Sequence, residues 1–183
     1  DRLVAVVYLD DENVNAWIGL ASAYEHDGMS EATAWHLERA FELDPSNAGV
    51  RQELQRFYGE IRNIKALRIK LNSAALGRLY LKGGLHQRAV TEFQSLLDQG
   101  KQPAHIRVGL ATAHWRLGQR IEAAEVSHDL LEELPNCLAA NLILGEIALR
   151  NERPEEAEEH LNLAQALDPE NRMANNLFGF QSP

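Results

Sequence analysis

The phrase Leu43-Asp44-Pro45-Ser46-Asn47 returns as Leu167-Asp168-Pro169-Glu170-Asn171. Leu134-Pro135-Asn136 is a worn copy, and Leu9-Asp10-Asp11-Glu12-Asn13 lies one period before the first. A fixed period of about 34 residues excludes most globular folds, because each period must be one supersecondary unit that buries its apolar stripe against its neighbours. The expectation is therefore a helical repeat array, which offers a surface and seldom holds a reaction centre.

The period holds column by column. Leu76, Leu110 and Leu144 form one column; Gly77, Ala111, Gly145 and Gly179 form another; Ala89, Ala123 and Ala157 a third; Leu96, Leu130 and Ala164 a fourth. Each column keeps a size class, as packing of one helix ridge into the next helix's groove requires. Within a unit, apolar residues recur at helical spacing. Trp17, Leu20, Ala21 and Tyr24 precede the helix stop Gly28; Trp35, Leu37, Ala40, Phe41 and Leu43 then run to Pro45. Gly83-Gly84 and Gly118 break the later units, and Pro154 suits the first turn of a helix.

At these residues the chain resembles the tetratricopeptide repeat family, whose pattern is Trp-x2-Leu-Gly-x2-Tyr, then alanine, an aromatic, alanine and proline. Trp17, Leu20, Ala21, Tyr24, Ala40 and Pro45 carry it first; Leu76, Gly77, Tyr80, Ala89 and Phe93 carry it again. Thr33 stands in place of the usual alanine, His114 and Ala148 in place of the tyrosine, and Ser127 in place of the aromatic. The resemblance implies an all-α, right-handed solenoid of antiparallel helix hairpins. The expected division is the end of a truncated repeat at 1–13, full units at 14–47, 70–103, 104–137 and 138–171, and a truncated repeat or cap at 172–183. The stretch 48–69 is an irregular basic insert, shorter than a full unit, with room for a single helix. Either the insert lacks a second helix or 63–82 makes one long helix, and a change of phase is expected near 60–70.

Charge is unevenly spread. Between Arg51 and Lys82 there are eight basic residues and two acids, a local +6 against a formal net charge of -9, so the remainder carries -15. Arg51, Arg56, Arg62, Lys65, Arg68 and Lys70 are a candidate patch for an acidic partner. The competing reading is a solvated helix balancing acidic neighbours within the array. Nucleic acid is disfavoured by the net charge and by the lack of free aromatics for stacking.

In the resembled family the first helix of each unit lines a concave groove. That implies groove positions at Arg78, Leu81, Lys82, Val108, Thr112, Trp115, Arg116, Leu142, Glu146, Leu149 and Arg150. Leu81, Trp115 and Leu149 beside Val108 and Leu142 would make an apolar floor with a basic edge at Lys82, Arg116 and Arg150. An amphipathic segment with some negative charge would fit it. The other reading is that an adjoining stretch of the same chain, or a second copy, covers the floor. With an open floor, Trp115→Ala should cost binding and little folding. The positions where some relatives clamp a terminal carboxylate are Ile18, Gly19, Ser22, Ala75, His105 and Gly109, and they do not reproduce that clamp.

No catalytic, metal or cofactor site is expected. Cys137 is the single cysteine, and the seven histidines show no ligand spacing. Ser127-His128-Asp129 are consecutive, so on a helix they point apart. No apolar run is long enough for a membrane span. The function expected is a non-catalytic protein-interaction scaffold binding a peptide or helix. The alternatives are a self-associating module, or the recruiting arm of a larger enzyme or assembly system.

Overall fold

The computed structural model describes residues 13–62, 71–100 and 103–179, with the side chains of 61 and 62 left aside. Ten helices and no strand occur among the described residues. They are α1 (Val14–His26), α2 (Ser30–Leu43), α3 (Ala48–Arg62), α4 (Ser73–Lys82), α5 (His86–Asp98), α6 (Ala104–Leu117), α7 (Arg120–Glu133), α8 (Leu138–Arg150), α9 (Pro154–Leu167) and α10 (Arg172–Phe178). The chain divides into two compact units, Asp1–Leu96 and Leu97–Pro183.

The turns explain the repeated phrases. Asn47 Oδ1 accepts the amides of Gly49 (3.0 Å) and Val50 (3.3 Å), so the last residue of the first phrase caps α3. In the second copy the job passes to Asp168, whose Oδ2 accepts the Met173 amide at 2.8 Å. Asn171 there adopts the left-handed conformation with φ 53°. Asn13 and Asn72 cap α1 and α4 through the amides of Ala16 (3.1 Å) and Ala75 (2.9 Å). Leu71 and Asn72 lie outside any helix, so a single helix over 63–82 does not form. The expected phase change rests largely on 63–70, outside the described residues.

The hairpin turns share one geometry. Gly28, Gly84 and Gly118 sit at φ 73°, 73° and 77°, and Glu152 takes the equivalent place at φ 58°. In each turn the next amide bonds back five positions: Met29 to Tyr24, Leu85 to Tyr80, Gln119 to His114 and Arg153 to Ala148. This is the Schellman stop, which satisfies carbonyls that the helix end leaves open.

The first unit buries Trp17, Leu20, Leu37 and Phe41 of α1 and α2 together with Val50, Leu54 and Phe57 of α3, and Ala75 of α4 joins the same cluster. Thr33 fits its alanine column because its hydroxyl bonds back to Met29 O at 3.1 Å, leaving no unsatisfied polar atom there. The second unit is built on α6 and α8, which are buried on almost every side. Its core joins Ala111 and Trp115 of α6 to Leu142, Ile143 and Ile147 of α8 and to Ala174 and Leu177 of α10.

The small columns have a steric cause. A Cβ on Gly77 would stand 2.6 Å from Phe93 Cε1, and one on Gly145 would stand 2.7 Å from Leu161 Cδ2. Phe93 and Leu161 occupy equivalent places in their repeats, each on the helix that follows its glycine. Between these two repeats, Ala111 replaces the glycine and the buried Ser127 replaces the large partner. Backbone approach is thus matched to the bulk opposite it, unit by unit.

Candidate protein-interaction site

The expected groove residues fall into both units. Arg78, Leu81 and Lys82 belong to the first. Val108, Thr112, Trp115, Arg116, Leu142, Glu146, Leu149 and Arg150 belong to the second.

In the first unit the α4 cations face inward contacts. Lys82 Nζ bonds Asp44 Oδ1 at 2.8 Å and Ser46 Oγ at 3.0 Å. Burial alone would raise the Asp44 pKa, but the bonds from Lys82 and Ser46 outweigh it and hold the carboxyl below its ordinary value. The Arg78 guanidinium lies 5.8 Å from the Phe93 ring centre. Leu81 is half-buried.

In the second unit the floor is not open. Val108, Leu142 and Trp115 are 1%, 5% and 6% exposed. The Trp115 ring meets Phe178 edge to face, with centres 5.3 Å apart and planes at 71°. Arg116 donates to the Asn176 carbonyl near the end of α10. The guanidiniums of Arg120 and Arg150 lie 3.7 Å and 5.9 Å from the Trp115 ring centre. An adjoining stretch of the same chain, α10, therefore covers the part of the expected floor at Trp115 and Leu142. This corrects the expectation that Trp115→Ala would spare folding: Trp115 is an interior side chain, and its truncation leaves a cavity.

Leu149 keeps 38% exposure, and Arg116 and Arg150 remain exposed at the rim. Thr112 is half-buried. Glu146 is buried and bonds Arg150, with Nη2 to Oε1 at 2.7 Å. The edge cations thus all have intrachain acceptors: Lys82 on Asp44, Arg116 on a helix-end carbonyl, Arg150 on Glu146.

The basic stretch is also engaged where it is described. Arg56 bonds Glu25 (2.8 Å), Glu60 (3.0 Å) and Glu53, and these acceptors push its pKa up, Glu53 most and then Glu25. Arg51 donates to the Pro45 carbonyl at 2.8 Å. Lys65, Arg68 and Lys70, and the side chain of Arg62, lie outside the described residues.

Among the buried polar groups on α6 and α8, Arg107, Asn141 and Glu146 were not legible in the sequence as interior residues. Arg107 is buried and holds the Glu133 carboxylate at 2.5 Å and 3.2 Å, which keeps the Glu133 pKa low. Asn141 donates to the carbonyls of Pro135 (3.0 Å) and Cys137 (2.9 Å), and its Oδ1 lies 2.9 Å from His160 Nδ1. Glu146 is the third. Only their membership of repeat columns on two largely buried helices could have marked them. His114, in the tyrosine column, is buried with Nδ1 2.8 Å from Gln119 Oε1.

Among the described residues no group of three His, Cys, Asp or Glu is placed to hold a metal ion, and no helix is long and apolar enough to cross a membrane.

Comparison with known proteins bears on these helices. A family model described as tetratricopeptide repeat matches residues 74–126 and again 108–172. Together these segments span more than half of the 183-residue chain. No curated protein matches the chain. Among solved structures, one described as YrrB, a tetratricopeptide repeat protein with an unusual peptide-binding site, is 18% identical. The match covers 96% of this chain and 97% of that one, with a TM-score of 0.48. A likeness of that degree says nothing about what this chain binds.

Proposed function

Because the chain belongs to the tetratricopeptide repeat family, a family of protein-interaction scaffolds, we propose that its second unit binds an amphipathic helix of a protein partner across α6 and α8. The observation that carries this reading is the seating of α10. That short helix lays Leu177 and Phe178 against the α6–α8 face, while Arg116 takes a carbonyl at the helix's negative end. The face accepts a helix with apolar residues on one side, and a cation is already positioned for its C-terminus. A partner helix of the same pattern would take the place of α10. Pre-ordered repeats limit the ordering cost on this side, and the buried aromatic at the centre is where binding energy concentrates. The residues assigned to the face are Val108, Thr112, Trp115, Arg116, Leu142, Glu146, Leu149 and Arg150. Arg78, Leu81 and Lys82 extend the same columns in the first unit.

We also propose the repeat boundaries 14–47, 70–103, 104–137 and 138–171, with 48–69 as an insert. The pairing of α1 with α2, α6 with α7 and α8 with α9 supports 14–47, 104–137 and 138–171.

The test uses Leu177→Asp, which dislodges α10 from the face. A fluorescein-labelled peptide of sequence 168–179 should bind this variant saturably and bind the parent chain at least tenfold more weakly. If the variant stays folded and shows no saturable binding, the α6–α8 face does not receive helices and the reading fails.

A further inference from the structure

The contacts that seat α10 reach far along the chain. Arg116 and the Asn176 carbonyl it bonds stand 60 residues apart, and Trp115 meets Phe178 across a similar span. Ala174 and Leu177 are buried in the cluster built on Trp115, Leu142 and Ile147. α10 itself is seven residues long. A helix that short does not hold itself in water, so α10 is helical because the face holds it. These contacts do not depend on which chain α10 belongs to, and the α10 of a second copy would make them equally well.

The turn that ties α10 to its own chain is short and bent against its preference. Asp168, Pro169, Glu170 and Asn171 join it to α9. Asn171 stands at φ 53° and ψ 32°, in the left-handed region, while Asp168 takes the Met173 amide. The first copy of the phrase shows the alternative. Asn47 has no positive φ, and its side chain caps α3 through the Gly49 and Val50 amides. One sequence pattern thus has two backbone forms, and 168–171 holds the costlier one. A short turn under strain is where a chain opens to exchange an element with its neighbour. Opening also bares Trp115, Leu142 and Ile147, an apolar surface that needs a cover.

We propose that two copies of this chain exchange α10 through the 168–171 turn, so that Leu177 and Phe178 of each complete the α6–α8 face of the other. The inference rests on the reading that this face receives a helix from another molecule, and it names a second copy as a source of that helix. The exchange is reciprocal, so the dimer closes and the seat of α10 is kept in both copies. The change falls on the turn, where Asn171 leaves the left-handed region twice per dimer. Access to the face then depends on chain concentration, and a protein partner competes with a second copy as well as with α10 in place.

Sedimentation equilibrium of the full chain at rising concentration should show a monomer–dimer equilibrium. In a dimer mixed from labelled and unlabelled chains, filtered Overhauser spectra should link the Trp115 indole of one copy to the Phe178 ring of the other. Asn171→Gly relaxes the closed turn and loosens the open one, so the dimer should dissociate about tenfold more readily. Deleting Glu170 and Asn171 leaves a turn too short to fold back and should give the dimer at every concentration. Leu177→Asp should abolish it. A full chain or a deletion chain that stays monomeric overturns the proposal. So does a dimer that survives Leu177→Asp or lacks the Trp115–Phe178 cross-peaks. The peptide of sequence 168–179 tells the two readings apart: if it binds the Leu177→Asp chain while the full chain stays monomeric, exchange fails and the helix-receiving face stands. If the peptide does not bind, both fall.

Discussion

Replacing Glu152 by glycine should stabilise the second unit. Four hairpin turns close with the same left-handed residue and the same return bond, and glycine fills the place at 28, 84 and 118. Glu152 alone carries a side chain there, at φ 58°. Nothing lies within 4 Å of a Cβ built on Gly28, Gly84 or Gly118, so the difference is a backbone cost and not crowding. An L-residue in this conformation costs roughly 1–2 kcal/mol. Glycine gives back part of that gain, roughly 0.5–1 kcal/mol, through its greater freedom in the unfolded chain. The net for Glu152→Gly is a gain of about 0.5–1 kcal/mol. The converse change, Gly118→Ala, should lose about 1 kcal/mol for the same reason. Both can be read by urea unfolding followed through the Trp115 indole resonance, which reports the second unit by itself. A loss of stability on Glu152→Gly, or a gain on Gly118→Ala, would refute the claim that these turns are one repeated structure.

Other outcomes follow from packing and charge. Trp115→Ala should lower second-unit stability by roughly 3–5 kcal/mol, measured by the same unfolding curve, because the ring is enclosed by Phe178, Arg120 and core aliphatics. Gly145→Ala should cost roughly 1–3 kcal/mol, and Leu161→Ala in the same chain should recover part of it, since the new Cβ meets Leu161 at 2.7 Å. Asp44 and Glu53 both have carboxyl pKa values held below the ordinary range. Their contribution to the first unit is complete above the unfolded values and is lost as pH falls from about 4.5 through the folded ones. Lys82→Met should therefore raise the Asp44 pKa in a ¹³C-carboxyl titration and flatten the acid limb of first-unit stability.

The repeat geometry was legible because packing writes it as periodic size. Gly77 against Phe93 and Gly145 against Leu161 are contacts that force small and large residues into columns one repeat apart, and columns survive in a bare sequence. The turns were legible for the same reason, since glycine marks the left-handed residue in three of four; Glu152 hid the fourth's conformation by breaking the chemical rule while keeping the backbone. The state of the groove was not legible. A repeat column shows which residues share a face, but the Trp115–Phe178 contact joins residues on α6 and α10 with three helices between them. Periodicity carries no signal for such a contact. It left open whether the floor was bare or covered, and α10 decides it. The polar interior of α6 and α8 was not legible because Arg107, Asn141 and Glu146 look like surface residues until most of both helices is enclosed.

On the reading proposed above, the α6–α8 face receives a helix over Trp115. Isotope-filtered nuclear Overhauser spectra can test it, using the labelled Leu177→Asp chain and the unlabelled peptide of sequence 168–179. Cross-peaks are expected between the Trp115 indole of the chain and the Phe178 ring of the peptide. A bound peptide whose phenyl ring gives cross-peaks elsewhere and none to Trp115 would contradict it.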